Sequence, residues 1–195
     1  MITVIKMKKP FTLLLVLFFA FSFSSKALAQ EITIPDPAIK NESSSILLKD
    51  SINYELPHPG ILPTSSLYTL KLIRDGISDL LISDPAEKSN FYLLQADKRL
   101  AAAILLFDKG EEELCEETVS KGVDYLEKSL EKMEEAKKGQ GNVSDIYGKM
   151  NDSLEKQKQE IEKMKVTKDA NLAQKLEKNQ KRVIELENKV SAFNP

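Results

Sequence analysis

Tryptophan is absent from this chain, and cysteine and histidine occur once each, as Cys115 and His58. A lone cysteine cannot close an intrachain disulfide, so stability has to come from packing. A lone histidine cannot form a histidine pair on a metal, and as a general base it would need a positioned partner that no spacing here supplies. The acidic run around Cys115, Glu111 to Glu117, lacks the glycine-turned loop of alternating oxygen ligands that calcium requires, and its carboxylates oppose a reactive thiolate. No nucleotide-binding glycine loop is present, so no catalytic residue, metal or cofactor is expected. An excess of positive charge is also missing: 28 basic against 30 acidic residues argue against nucleic acid as a partner.

Long apolar runs are scarce. The one present, Phe11 to Phe23, follows Lys6, Lys8 and Lys9 and precedes Ala27-Leu28-Ala29. It is shorter than the roughly 18 to 20 residues of a bilayer span, and the order of basic start, apolar run and small-x-small site is that of a secretory leader. Residues 1–29 are therefore expected to be a signal peptide cleaved after Ala29, leaving a periplasmic or extracellular protein without a membrane span. Loss of that segment, with its four lysines and no acids, would take the formal charge from −2 to −6.

Proline is missing from residues 86 to 194, and across them Leu, Ile, Val and Met return every three or four positions between charged residues. This is the period of long amphipathic helices. Residues 30–56, by contrast, are polar and proline-bracketed, and predict an extended mobile arm. Pro57-His58-Pro59-Gly60-Ile61-Leu62-Pro63 then forms a stiff strap.

Within 57–192 the punctuation predicts an all-α bundle of about five helices, three of them long and antiparallel. A first helix, about 66–82, is capped from Thr64, Ser65 or Ser66 and carries Leu67, Leu70, Ile73 or Arg74, Ile77 and Leu80-Leu81. The second, 85–109, opens on Ser83-Asp84-Pro85, stops at Gly110, and is placed centrally because Ala101-Ala102-Ala103 admits a close neighbour. The third, about 111–138, has the seam Val119, Val123, Leu126, Leu130, Met133, and Gly139-Gln140-Gly141 ends it. A fourth begins at Asn142 or Ser144 with Gln157 as the one polar seam residue. A slip near 166–168 separates it from a last helix over 169–192. Short heptads with a slip favour packing within one chain over an intermolecular coiled coil, so a monomer is favoured, with a dimer as the alternative. Glu117 with Lys121 and Asp124 with Lys128 fit surface i,i+4 pairs.

The strap, followed by Leu67-Tyr68, Leu70-Lys71 and Arg74-Asp75, and the later run Leu94-Gln95-Ala96-Asp97-Lys98-Arg99-Leu100-Ala101, resemble a family of exported bacterial all-helical domains of unassigned function. Thr64-Ser65-Ser66 departs from the acid and proline common there, and Lys158 stands where a histidine is frequent. The resemblance implies an extracytoplasmic helical domain, found alone or attached to envelope and signalling proteins, and brings no activity.

The function expected is that of a noncatalytic extracytoplasmic interaction module with an envelope partner or surface. A holdase-like protein with an apolar concavity is the alternative, and a hydrolase or other enzyme the third and least supported class. The candidate structural or interaction residues are Pro57, His58, Pro59, Gly60, Ile61, Leu62, Pro63 and Tyr68. Three prolines lower the entropy cost of holding the strap, which predicts Ile61 or Leu62 buried near Tyr68.

Overall fold

A computed structural model describes residues 53–193, in which five helices and no strand occur. The leader and arm residues 1–52 lie outside the described residues. The helices are α1 (Tyr68–Leu81), α2 (Pro85–Asp108), α3 (Glu112–Lys138), α4 (Ser144–Met164) and α5 (Ala170–Ala192). The expected all-α bundle of about five helices is the observed one, with four helices of 21 to 27 residues and one of 14. No described helix is long and apolar enough to cross a membrane.

Most boundaries follow from local chemistry. The Asp84 carboxylate accepts from the Glu87 N–H at 2.8 Å with Pro85 in the first turn, and Asp169 accepts from Asn171 and Leu172 at 2.7 and 2.9 Å. Gly110 ends α2 with a left-handed φ of +74°. One expectation differs. No side chain caps α1, which starts at Tyr68 after a turn in which the Ser65 hydroxyl accepts from the Leu67 N–H. In the turn after α3 the left-handed residue is Gln140, φ +64°, rather than either flanking glycine. Gly141 serves a different need there, since a Cβ on it would stand 3.0 Å from the Ala136 carbonyl oxygen.

The four long helices form two antiparallel hairpins, α2/α3 and α4/α5. Ser89 meets Ser129 and Tyr92 meets Tyr125 across the first; Lys158 meets Glu187 and Tyr147 stacks on Phe193 across the second. The hairpins then join side by side with parallel neighbours: Asp97 of α2 faces Ser153 of α4, and Asp124 and Glu127 of α3 face Arg182 of α5. Asp124 thus turns to a neighbouring helix instead of pairing with Lys128, whose ammonium lies 5.4 and 5.8 Å from the ring centres of Tyr125 and Tyr92. Glu117 and Lys121 pair as expected.

Between the hairpins lies one core, in which Leu100, Leu106, Leu126, Met133, Met150, Leu154, Ile161 and Leu176 are fully enclosed. At Gly122 the α2/α3 contact is tight, since a Cβ there would approach Arg99 Cβ to 3.2 Å and the Ala96 oxygen to 3.5 Å. Two turns of helix further along, Ser89 and Ser129 each donate to the other's backbone carbonyl, at 2.7 and 2.8 Å. That exchange satisfies two buried hydroxyls without admitting water. Cys115 is fully buried with its sulfur 3.7 Å from that of Met164. Burial, then Glu116 and Glu112, push its thiol up to about 12, so it is a packing residue.

Candidate functional site

The strap enters along the groove between α2 and α4. Tyr54 donates its hydroxyl to Asp97 at 2.6 Å, Ser153 donates to the other Asp97 oxygen at 2.5 Å, and Leu56 packs on the core. Tyr54 and Leu56, assigned to the arm by composition, thus touch the bundle. Burial raises the Asp97 carboxyl above its ordinary range against the pull of Ser153 and Tyr54. It raises the Tyr54 phenol too, with Asp97 adding to the effect.

From Pro57 the strap passes over α2 toward α1. The Gly60 N–H donates to His58 Nδ1 at 3.0 Å, and Gly60 sits at φ +73° over the Lys71 side chain, 3.9 Å from where a Cβ would stand to Lys71 Cε. A left-handed turn of this kind is why glycine occupies the position. The expected burial of Ile61 or Leu62 is not seen: Ile61 is exposed and Leu62 half-buried, while Pro57, Pro59 and Pro63 are half-buried. The physical reason is that the strap rests on polar ground. The partners of the Tyr68 ring are cations, Arg99 at 5.5 Å and Lys71 at 5.9 Å, and its hydroxyl accepts from Arg99 Nη1.

α1 explains that ground. Its buried residues are Lys71 and Asp75, joined at 2.8 Å, with Arg74 donating to the other Asp75 oxygen at 2.7 Å. Asp79 meets Tyr92 and Lys88 of α2. Burial would raise the Asp75 carboxyl, but hydrogen bonds from Lys71 and Arg74 hold it below its usual range. For Lys71 burial lowers the ammonium, Asp75 resists, and the charges of Arg99 and Arg74 lower it further. The apolar stripe points the other way: Leu67, Leu70, Ile73, Ile77, Leu80 and Leu81 are 54 to 81% exposed. The helix is amphipathic, with its polar side against the protein.

A family model described as a domain of unknown function (DUF5667) matches residues 60–192. The chain belongs to that family. The matched span begins at Gly60 of the strap and ends with the last residue of α5, so it takes in every helix of this DUF5667 domain. No curated protein and no solved structure gives a significant match.

Of the strap residues singled out by sequence, the structure brings His58, Pro59, Gly60 and Ile61 together with Lys71, Arg74 and Lys98 around a cleft of about 150 Å³. Pro57, Leu62, Pro63 and Tyr68 do not line it. The three cations were missed as a group by sequence reasoning, although each stands in a motif that carried the resemblance. The Lys71 and Asp75 spacing of four was a usable signal. A second cleft, lined by Glu112, Glu113, Glu116, Asp169, Asn171, Leu172 and Lys175, is an acidic meeting of two helix starts. No set of three or more metal-ligating side chains occurs among the described residues.

Proposed function

We propose that this DUF5667 domain is a noncatalytic, extracytoplasmic helical interaction module, and that its partner is a helix of an envelope or signalling protein docked on the outward face of α1. One observation carries the reading. Leu70, Ile73, Ile77 and Leu80 follow one another at three, four and three residues, flanked by Leu67 and Leu81, and all six are more than half exposed. That is the seam spacing of a helix pair, with no partner among the described residues. The patch amounts to something on the order of 600 Å², at the upper end of what a monomer usually shows.

The chemistry favours a helix over other occupants. A helix resting on an anionic membrane presents a basic polar face, whereas the polar face of α1 carries Lys71, Asp75 and Asp79 and is turned into the protein. A holdase would need an apolar concavity, and this patch is the convex side of one helix.

The test is site-specific photocrosslinking in cells from position 77, with position 178 of α5 as control. The expected product is one heterologous adduct whose crosslinked peptide, by mass spectrometry, is an apolar heptad segment of an envelope protein, and Leu70→Asp abolishes it. A homodimer adduct, a lipid adduct, or capture independent of Leu70 overturns the proposal.

A further inference from the structure

The cleft between strap, α1 and α2 carries a concentration of charge that the bundle does not need. Lys71, Arg74 and Lys98 line it with His58, and no acid does. Asp75, the carboxylate that pairs with two of these cations, already accepts from both Lys71 and Arg74. Lys98 forms no hydrogen bond or ion pair among the described residues, although it is half-buried. Its chain neighbour Arg99, stacked on the Tyr68 ring, is 4% exposed, has no acidic partner among the described residues, and leaves its Nε without a hydrogen bond. Three lining cations against one acid leave a local surplus of two positive charges on a chain whose formal charge is −2.

Uncompensated positive charge in a half-enclosed place is costly unless an anion completes it. The donors also have a fixed shape. Lys71 and Arg74 are pinned by Asp75, and the strap is stiffened by Pro57, Pro59 and Pro63. His58 gives its Nδ1 lone pair to the Gly60 N–H, so the neutral ring carries its proton on Nε2 as a donor. Donors arriving from three separate elements suit a tetrahedral ion better than a planar one, and a dianion matches the surplus of charge. A volume of about 150 Å³ admits one such group and little more.

We propose that this cleft binds a single phosphoryl group, either free phosphate or the phosphate of a larger envelope molecule, through Lys98, Arg74, Lys71 and His58. Pre-ordering by Asp75 and the strap means that binding needs little rearrangement. The site is separate from the outward face of α1, so each proposal can fail without the other.

The experiment titrates the full chain with inorganic phosphate and follows backbone amide shifts at constant ionic strength, with chloride and acetate as matched controls. Saturable shifts confined to residues 58–61, 71–74 and 98 are expected with phosphate, and only weak, unsaturated ones with acetate. Lys98→Ala should weaken phosphate binding about tenfold, the loss of one charge-assisted hydrogen bond, with unchanged thermal unfolding. Lys178→Ala, at an exposed position on α5, should change neither. Sedimentation with phosphatidic acid vesicles and with phosphatidylcholine vesicles separates the sources: co-sedimentation with the former alone, lost in Lys98→Ala, assigns a lipid phosphate, and saturable phosphate binding without it assigns a soluble one. Shifts that do not saturate, that acetate reproduces, or that persist in Lys98→Ala overturn the site.

Discussion

At the scale of single residues, several side chains have roles that their type alone does not announce. Cys115 is the clearest. Enclosed against Met164, with its thiol pushed up to about 12 by burial and then by Glu116 and Glu112, it should resist alkylation at mildly alkaline pH in the native protein and react fully in denaturant. Rapid labelling of the folded chain, read by mass spectrometry, would contradict this. Gly60 is a second case. Its φ of +73° disfavours any Cβ, so Gly60→Ala should lower stability by about 1 kcal/mol in urea titration even though the added methyl meets nothing closer than 3.9 Å. The sequence displayed both residues, and the strap around Gly60 was recognisable as a proline-stiffened segment. That the turn lies over Lys71 was not, because the partners are eleven residues apart and belong to different elements.

At the scale of elements, helix ends were legible where one side chain decides them. Asp169 binds two backbone N–H groups, and Asp169→Ala should cost about 1 kcal/mol, while Ser65→Ala, at a position expected to cap α1 but found within the preceding turn, should cost much less. Equal effects in urea titration would mean that the turn before α1 acts as a true cap. Burial separates the strap from the core in the same way. Truncating Leu126, fully enclosed, to alanine should cost about 2 to 5 kcal/mol, whereas truncating Ile61 and Leu62 together should cost well under that, because neither is enclosed. A large loss from the double change would show that the strap is a core element after all. The stripe on α1 was equally plain as a pattern, yet a helical wheel has no outside. Which side meets the bundle was decided by Tyr68, Lys71, Asp75 and Asp79 finding Arg99, the strap, Tyr92 and Lys88.

For the whole molecule, stability depends on acid in two opposed ways. Burial raises the Glu160 carboxyl, but Lys163 and Lys156 bring it below its ordinary range, and Asp75 is likewise held low by Lys71 and Arg74. A carboxyl depressed in the folded state stabilises above its unfolded value and loses that contribution as pH falls through the folded one. Asp97, raised by burial, has the opposite sign: its contribution is greatest in acid and fades as pH rises. With the lowered groups in the majority, the urea midpoint should fall between about pH 5 and pH 2, and Glu160→Gln should make that fall shallower. An identical slope in the variant would remove Glu160 from the account.

Sequence by itself determined the helices, because propensity, period and caps act within a few residues and no proline interrupts residues 86 to 194. It also determined the seams: Val119, Val123, Leu126, Leu130 and Met133 are all buried as the heptad requires. Tertiary structure alone decided how the two hairpins join, since parallel contacts between α2 and α4 and between α3 and α5 depend on pairs such as Asp97 with Ser153, 56 residues apart. It alone turned the apolar side of α1 outward and gathered Lys71, Arg74 and Lys98 around His58. Period is a property of one helix, whereas facing and charge convergence belong to the space between helices, where chain separation carries no information.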